Sequence, residues 1–521
     1  MNEYQLRRVE YKDKQLLYEW VTDKTVRENS FHTGEISASE HEEWFEIHFY
    51  SEQCDMFILE YRGEPIGQIR IEWDGENGEI SYSVADGYRG QGHGKMLLQR
   101  VENELLGQYK RLSAKVKQEN VASCLIFEHL GYKKRLEKGC VLYTKDMYIP
   151  YGRQSIDEKD IEAVVGVLRS DYLTTGPKIS EFEKKVADYV GAKYAVAVNS
   201  GTAALHIACL AAGIGQGDEV ITTPITFAAS SNCILYCGGT PVFADIDENT
   251  YNLDPQDVEK KITDRTKAII PVHFTGQPCD MEALAEIADR HNLLVIEDAA
   301  HALGASYKNK RIGSISDMTC FSFHPVKPIT TGEGGMVTTN NEEFYEKLVL
   351  FRSHGITRDE SLLTANPGGW YYEQLELGYN YRITDISCAL GISQMDKLEG
   401  FIEKRKAIAE RYNEAFAGKD GIKTPWQLPG SESGWHLYMI QLMDQDRKEI
   451  FDRLRSDGIG VNVHYIPVYR HPYYRKNGYE NTYCKNAERF YERAISLPIF
   501  PALTGEQQQY VIDKVLRETG L

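Results

Sequence analysis

One lysine lies in a setting that favours nucleophilic chemistry. Lys327 is part of the stretch Cys320 to Met336, CFSFHPVKPITTGEGGM, which predicts a short strand, a turn fixed by Pro325 and Pro328, and a glycine-rich loop. The two prolines fix φ and remove two N–H donors, so the stretch is not helical. A lysine on a rigid turn beside a buried strand is poorly solvated, which lowers its pKa, and the neutral amine is the form that attacks an aldehyde. A plain surface lysine is the alternative.

An acid and a helix start precede this lysine in the chain. Leu293 to Asp298, LLVIED, predicts a buried parallel strand that ends in two acids, and a carboxylate there points into the ligand crevice of an open α/β sheet. Tyr194 to Asn199 predicts another apolar strand, which runs through the triplet 200–202 (SGT) into an apolar helix. That geometry binds phosphate. Taken singly, Asp298 has a plain alternative as a helix cap.

One ligand explains these residues together. Pyridoxal phosphate (PLP) needs a lysine for its aldehyde, an acid against its pyridinium nitrogen, donors for its phosphate and a flat group against its ring. We expect these needs to be met, in that order, by Lys327, by Asp298, by Ser200, Gly201 and Thr202 together with Ser322, and by Phe227. A core position is the alternative for Phe227.

The first part of the chain carries a second glycine-rich loop. Glu79 to Val84, EISYSV, alternates as a strand, and Arg89 to Gly94, RGQGHG, then leads into an amphipathic helix. A helix start with free N–H groups suits a pyrophosphate. The glycines are not spaced as in a dinucleotide fingerprint, and no partner acid follows at the expected distance. A tight strand-to-helix turn is the alternative.

The distribution of predicted strands and helices along the chain indicates two domains. Its 521 residues are 42% hydrophobic and 26% charged, which is enough for more than one buried core. Short strands with few helices precede residue 148, and alternating strands and helices of an α/β domain follow it. We therefore predict domains 1–147 and 148–521, both α/β, with a short junction at 146–152.

Charge and cysteine usage exclude several classes of partner. The net charge of −18 disfavours nucleic acid, which needs a basic face. The ten cysteines are scattered without a CxxC pair, so we expect free thiols in a reducing compartment and no metal site. The N-terminus has no apolar leader run, and no stretch is long enough to span a membrane, so a cytoplasmic protein without membrane partners is expected.

The first domain resembles the GNAT N-acetyltransferases. The resemblance rests on RGQGHG at 89–94 and on KQENVASCLIFEHLGY at 117–132. It implies that acetyl-CoA is the co-substrate, that Asn120 lies near the cofactor arm, and that Tyr132 is a candidate general acid, with a core aromatic as the open alternative. Glu79 is a weaker candidate base, because this family often uses water. The main-chain N–H groups that the resemblance assigns to the pyrophosphate are those of Gln91, Gly92, His93, Gly94 and Lys95.

Residues 149–521 resemble the DegT/DnrJ-type sugar aminotransferases. The motifs include NSGTAALH (199–206), EDAAHALGA (297–305), SFHPVKPITTGEGG (322–335) and YNYRITDISCALG (379–391). The resemblance implies the fold-type I PLP transferase architecture, with a mostly parallel central sheet, helices on both faces and a smaller C-terminal subdomain. It adds His301 to the cofactor residues. It also implies a homodimer with shared active sites, in which Asn380 of one subunit reaches the cofactor phosphate of the other. Lysine rather than histidine at 327 implies transamination rather than dehydration.

Three further stretches narrow the resemblance. IPYGRQSIDEKDI (149–161), SDYLTTGP (170–177) and VHYIPVYRHPYY (463–474) are similar to the members that aminate a UDP-linked 4-keto-6-deoxy-N-acetylhexosamine in pseudaminic acid biosynthesis, with glutamate as donor. The residues that this resemblance assigns to the sugar nucleotide are Tyr151, Asp171, Tyr172, Leu173, Thr174, His464 and Tyr465. Interface packing is the alternative for the tyrosine-rich tail.

The two resemblances fit one reaction sequence. The 4-amine made by the second domain is a nucleophile that GNAT chemistry acetylates, so we expect a bifunctional enzyme. Three alternatives remain open. The fusion could serve another amino sugar of the bacillosamine or legionaminic type, the aminotransferase could act on a non-nucleotide ketone, or the GNAT half could be a non-catalytic module.

Overall fold

A computed structural model describes residues 3–521, and its strands follow the apolar alternation of the sequence. The chain divides into two units. The first contains Met1–Ile149 with the short segments Ser456–Gly458 and Thr504–Asp513. The second contains Pro150–Arg455, Ile459–Leu503 and Lys514–Leu521.

The elements of the first 149 residues are mostly strands. In chain order they are β1 Tyr4–Arg8, α1 Lys14–Thr22, α2 Lys24–Asn29, α3 Ala38–Phe49, β2 Cys54–Tyr61, β3 Glu64–Asp74, β4 Asn77–Val84, α4 His93–Glu104, β5 Arg111–Val116, α5 Val121–His129, β6 Lys133–Glu137 and β7 Cys140–Asp146.

These seven strands form one sheet that opens at its centre. The order is β1-β2-β3-β4-β5-β7-β6, and β4 with β5 is the parallel pair. That pair holds only from Asn77–Glu79 to Arg111–Ser113. Beyond it, β4 continues to pair with β3 alone and β5 with β7 alone, so the two strands diverge and leave one edge of β4 unpaired.

The later elements alternate between strands and helices. In chain order they are α6 Glu158–Leu168, α7 Pro177–Val190, β8 Tyr194–Val198, α8 Gly201–Ala211, β9 Glu219–Thr222, α9 Ala229–Tyr236, β10 Thr240–Phe243, α10 Pro255–Lys261, β11 Thr266–Ile270, α11 Met281–His291, β12 Leu294–Asp298, β13 Ser306–Tyr307, β14 Lys310–Arg311, β15 Met318–Ser322, β16 Gly335–Thr339, α12 Glu342–Arg352, β17 Ile356–Thr357, β18 Glu373–Gln374, α13 Asp385–Met395, α14 Leu398–Phe416, β19 Ile422–Lys423, β20 Ser431–Glu432, β21 Tyr438–Leu442, α15 Arg447–Ser456, α16 Pro472–Tyr474, α17 Lys485–Arg493, β22 Ala494–Leu497 and α18 Gly505–Thr519.

A seven-stranded, mostly parallel sheet organises the second unit. Its order is β10-β9-β11-β12-β15-β16-β8, with β16 antiparallel to both of its neighbours. Side chains alternate between two buried clusters on the two faces: Ala197 and Ile269 lie in one, Val198 and Ile270 in the other. Burial on both faces explains why the strands read as continuous apolar runs. A smaller sheet, β19-β21-β22, follows towards the C-terminus. The predicted fold class is confirmed.

Candidate active sites

The turn that carries Lys327 is closed at its base by two neighbouring strands. Ser322 at the end of β15 pairs with Gly335 at the start of β16, and Phe323 N donates to Gly334 O at 2.9 Å. Inside the loop, Lys327 N donates to His324 O at 2.9 Å. Burial lowers the pKa of the Lys327 amine to about 8, although nearby Asp298 acts in the opposite direction. A substantial fraction of this amine is therefore neutral, and nucleophilic, near neutral pH.

Asp298 ends β12, on the strand next to the one that leads to Lys327. Its side chain is only 4% exposed. Ser230 Oγ donates to its Oδ2 at 2.6 Å, and Ala300 N donates to Oδ1 at 3.1 Å. These bonds fix the carboxylate at the carboxyl end of a parallel strand, where α/β sheets bind ligands. The arrangement fits a protonated ring nitrogen of PLP.

The start of α8 forms a close cradle. Ser200 caps the helix by accepting from Ala203 N at 3.1 Å, and Thr202 lies in the first turn. A Cβ atom at Gly201 would lie 2.8 Å from the Cβ of Ser322, and one at Gly335 would lie 2.4 Å from Ser200 O. Only glycine allows this approach, which brings the Ser322 hydroxyl to the free N–H groups of the helix start. The donor set fits the phosphate of PLP.

Two aromatic groups and a histidine lie close to one another. His301 is buried, and a hydrogen bond of 3.3 Å joins its Nε2 to Tyr465 OH. Within residues 3–521 its Nδ1 has no partner. Phe227 is 64% exposed, with its ring centroid 6.4 Å from that of Tyr465. An exposed ring and an unpartnered buried nitrogen fit a flat ligand such as the PLP ring.

Burial keeps the histidines of this site neutral. The pKa of His301 lies well below its ordinary value because of burial and then the positive charge of Lys327. The same two causes lower the pKa of His464 to about 3. His464 Nδ1 is held by Ser496 Oγ at 2.6 Å. These rings therefore act as neutral hydrogen-bonding groups.

The predicted sugar-site residues fall into two groups. The Tyr151 ring lies 5.3 Å from that of His464, and a Cβ atom at Gly152 would lie 3.7 Å from the Cβ of Val326, the neighbour of Lys327. Tyr151, His464 and Tyr465 are thus brought to the Lys327 turn.

The other group, residues 171–174, is held by the start of α13. Leu173 O accepts from Asp385 N at 3.1 Å, and Thr174 forms a bridge with Thr384. Asp171, Tyr172 and Leu173 are exposed. Their role as sugar ligands stays a prediction.

The main chain of Asn380 lies beside the phosphate cradle of the same subunit. Its carbonyl accepts from Asn199 Nδ2 at 3.4 Å, directly before Ser200, while the residue itself is exposed. The reach of Asn380 into a partner's site stays a prediction.

Three contributors to the site carry no motif that would single them out. Ser230 holds Asp298, and His436 is a buried ring 4.4 Å from the His301 ring. Arg405 is fully buried, and its Nη1 donates to the carbonyls of Trp435, His436 and Ile499. Only the folded sheet brings them near residues that are distant in the chain.

In the first unit the predicted pyrophosphate loop lies at the start of α4. Gly92 caps this helix with φ +86°, a left-handed conformation that suits glycine. A Cβ atom at Gly92 would meet open space, so the main-chain N–H groups of Gln91 to Lys95 are approachable. A Cβ atom at Gly94 would lie 3.1 Å from Ile126 and 3.3 Å from Tyr82. The helix start and the unpaired β4 edge fit an extended, pyrophosphate-bearing ligand such as acetyl-CoA.

The remaining acetyltransferase candidates serve structural contacts. Asn120 caps α5 by accepting from Ser123 N at 3.2 Å. The His93 ring is buried, and its Nδ1 is bonded to Tyr4 OH at 2.8 Å. Tyr132 is 5% exposed, with its ring 4.9 Å from that of Phe127, and burial raises its pKa. These are the surroundings of a core aromatic, and the general-acid role of Tyr132 stays a prediction. Glu79 is paired with Lys115 at 3.1 Å.

Two features are absent from the part of the chain that the structure describes. Within 3–521, no group of three or more His, Cys, Asp and Glu side chains is arranged to hold a metal ion. No helix of that range is both long and apolar enough to cross a membrane.

Comparison with known proteins identifies both parts of the chain. Residues 154–516 match the DegT/DnrJ/EryC1/StrS aminotransferase family, and residues 4–133 match the acetyltransferase (GNAT) domain. The chain is 44% identical to the spore coat polysaccharide biosynthesis protein SpsC of Bacillus subtilis, over 72% of this chain and 98% of that protein. It is 40% identical to a UDP-4-amino-4,6-dideoxy-N-acetyl-beta-L-altrosamine transaminase of Campylobacter jejuni, over 70% and 96%.

Solved structures agree with these matches. The Helicobacter pylori aminotransferase PseC, involved in the biosynthesis of pseudaminic acid, superposes with a TM-score of 0.67 at 35% identity, over 72% of this chain and 99% of that one. A sugar aminotransferase of Streptococcus pneumoniae in its PLP form gives 0.68 at 34% identity, over 72% and 99%. The chain therefore belongs to the DegT/DnrJ/EryC1/StrS family of PLP-dependent sugar aminotransferases and carries an N-terminal GNAT domain.

Proposed function

We propose that the chain is a bifunctional nucleotide-sugar enzyme, with an acetyltransferase domain at 1–147 and an aminotransferase domain at 148–521. The observation that carries the proposal is the convergence of Lys327, Asp298 and the start of α8 at one edge of the sheet, in a chain that also holds an acetyl-CoA-type helix start.

The first reaction is transamination of a UDP-linked 4-keto sugar. When bound, PLP supplies the carbonyl that takes up an amino group from the donor and passes it to the keto sugar. Lys327 would hold PLP through its side-chain amine, and as a free amine beside the cofactor it would accept and return protons, which suits an amine with a pKa of about 8. Asp298 would hold the ring nitrogen in its protonated form. Ser322 and the N–H groups of 200–202 would bind the phosphate, and His301 with Phe227 would flank the ring.

The proposed substrate is based on the names of two relatives. We propose UDP-2-acetamido-2,6-dideoxy-β-L-arabino-hex-4-ulose as acceptor and glutamate as donor, in pseudaminic acid biosynthesis, because the Campylobacter jejuni relative and PseC are named for that chemistry. The sugar nucleotide binds beside Tyr151, His464 and Tyr465 and along 171–174. The alternative is a 4-amino sugar of the bacillosamine or legionaminic type.

The second reaction acetylates the new 4-amine. Acetyl-CoA binds with its pyrophosphate at the N–H groups of 91–95, and the deprotonated amine attacks the thioester carbonyl. The C–N bond forms, the C–S bond breaks, and CoA leaves as a thiolate that takes up a proton. Asn120 and Tyr132 are the proposed residues near the thioester. The alternative is a GNAT half that binds without catalysing.

We further propose a cytoplasmic homodimer. In each subunit, Asn380 of the partner subunit would complete the binding site for the cofactor phosphate. A net charge of −18 is compatible with these roles, because small anionic ligands need only a local binding site.

One experiment tests both reactions. The protein is incubated with UDP-4-keto sugars of both configurations, glutamate and acetyl-CoA, and product masses are read. We expect an N-acetylated 4-amino sugar from one configuration. A free amine as the final product contradicts the acetylation step, and no amine from either configuration contradicts the UDP-sugar assignment.

A further inference from the structure

A cavity in the second unit is lined by none of the residues that the proposed reactions use. Its volume is about 220 Å³, and it lies between the loop after β10, strands β19 and β21, and one face of α17. Two of its lining rings, Tyr251 and Phe490, have centroids 4.5 Å apart. Phe490 contacts Phe274 at 5.8 Å, and Phe274 contacts His301 at 6.1 Å. The cavity thus adjoins the cofactor region through buried rings but shares no lining residue with it. We call it the basic cavity.

One face of α17 supplies much of the polar lining. Asn486, Arg489 and Arg493 are spaced by three and four residues, which places their side chains on the same face of a helix. Asn486 Nδ2 donates to Ile246 O at 2.9 Å, which ties this face to the loop after β10. Lys423 of β19 adds a third cation to the two arginines. The cations therefore come from separate elements that the fold brings to one cavity.

Positive charge exceeds negative charge in the basic cavity. Lys423, Arg489 and Arg493 carry three positive charges, and Glu248 is the one acid among the lining residues, which leaves an excess of two. The chain as a whole has a net charge of −18. The local excess is therefore opposite in sign to the charge of the protein, and it favours an anion at this place.

The three cations differ in how far their donors are used. Arg489 is ion-paired with Glu248, and Lys423 Nζ donates to the main-chain carbonyl of Glu248 at 2.8 Å and to Asn249 Oδ1 at 3.3 Å. Arg493 is half-buried, and within residues 3–521 its guanidinium has no hydrogen-bonding or ion-pair partner. Partial burial removes water from this cation without replacing it, so an anion in the cavity supplies the missing acceptor.

We propose that the basic cavity binds the phosphate or diphosphate group of a small anion. The planar guanidinium fork matches the oxygen atoms of a phosphate, and two excess charges match a dianion. Clefts that enclose a whole drug-sized ligand have roughly 300–1,000 Å³, which is more than this cavity offers. It therefore takes the phosphate part alone, either as an inorganic anion or as the diphosphate of a nucleotide whose sugar and base stay outside.

Chemical protection tests the proposal on the folded, unmutated chain reconstituted with PLP. Phenylglyoxal modifies accessible arginines, and peptide mass spectrometry reads each of them separately, so anions bound elsewhere do not interfere. We expect saturating pyrophosphate to slow the modification of Arg493 roughly fivefold or more, by mass action. The modification of Arg475, an exposed arginine outside the cavity, should be unchanged. Lack of protection by phosphate, pyrophosphate and UDP alike overturns the proposal, as does equal slowing at both arginines.

The same measurement identifies the source of the phosphate group. Protection of Arg493 by UDP at lower concentrations than by pyrophosphate supports a nucleotide diphosphate as the ligand. Protection by phosphate or pyrophosphate but not by UDP supports a free inorganic anion.

Two substitutions of opposite sign test whether the cations hold the anion. Glu248→Gln removes the acid, so the pyrophosphate concentration that half-protects Arg493 should fall about threefold. Arg493→Gln removes a charged donor, so the concentration that half-protects Arg489 should rise about tenfold or more. Arg475→Gln is the matched control and should change neither value. A gain of affinity is not produced by misfolding. Weaker binding in Glu248→Gln, or unchanged binding in Arg493→Gln, overturns the assignment.

Discussion

The two candidate sites are formed by different kinds of chemical group. The proposed acetyl-CoA site in the first unit consists of main-chain groups: the N–H donors at the start of α4, the left-handed Gly92 and the unpaired edge of β4. The proposed PLP site in the second unit consists of side chains at strand ends, above all Lys327 and Asp298. Substitution therefore acts differently on them. A main-chain site is damaged by adding atoms, whereas a side-chain site is damaged by removing them.

The largest effect is expected at Lys327. In Lys327→Ala the covalent attachment point of PLP is absent, so transamination is abolished while acetyl-CoA binding is unchanged. Borohydride should fix the cofactor onto the Lys327 peptide of the unmutated protein and onto no peptide of the variant, as read by mass spectrometry. A variant that still turns over removes Lys327 from its role.

The second prediction concerns the first unit, where substitution should abolish acetyl transfer and leave transamination intact. Gly92→Asp with Gly94→Asp adds carboxylates where we propose that the pyrophosphate binds, and a side chain at Gly92 is strained at φ +86°. We expect acetyl transfer to be abolished and transamination to be retained, with the free amine as product. Gly87→Asp is the matched control, because a Cβ atom there meets open space and φ is not positive. Equal losses in both proteins argue against the main-chain site.

The Asp298→Asn variant tests a second side chain of the proposed PLP site. The amide keeps the shape but does not stabilise a proton on the ring nitrogen, so we expect PLP to bind and transamination to fall roughly 10²- to 10³-fold, as for other charge-stabilising groups. Steady-state rates and cofactor absorbance measure the two outcomes separately. Near-normal turnover contradicts the assignment.

Subunit mixing tests whether the second site needs two chains. Transamination is absent in Lys327→Ala and expected to be weak in Asn380→Ala, and mixed dimers regenerate some sites with both residues intact. We expect partial recovery of transamination after subunit exchange, with unmixed proteins as controls. If exchange is demonstrated by native mass spectrometry and activity stays at baseline, Asn380 does not act across the interface.

The smallest effect is a pH dependence. The Lys327 amine, with its pKa lowered to about 8 by burial, is protonated and unreactive below that pH and neutral above it. The rate at which cofactor-free protein reacts with added PLP should rise with pH, with a midpoint near pH 8, and level off at higher pH, as followed by absorbance. A midpoint near the ordinary lysine value of about 10.4 contradicts a buried amine.

The sequence could predict what is encoded locally. Lys327, Asp298 and the triplet at 200–202 each belong to a short strand-and-turn pattern, so their places followed from spacing and from the family resemblance. Ser230 and His436 could not be found in this way. Ser230 is 68 residues before Asp298 and meets it only because β9 and β12 both flank β11. The sequence does not distinguish an aromatic side chain that faces a ligand from one that packs in the core, and Tyr132 is an example.

The closure of the Lys327 loop bears on how the cofactor enters. The paired ends at Ser322 and Gly335, with the bonds from Phe323 N to Gly334 O and from Thr331 N to Phe323 O, fix the backbone before any ligand arrives. Ordering a free loop costs about 1–2 kcal/mol of conformational entropy for each residue. In this loop the cost is incurred when the chain folds. Cofactor association therefore proceeds onto a preformed surface, and the conformational entropy lost on binding is confined to side chains such as that of Lys327.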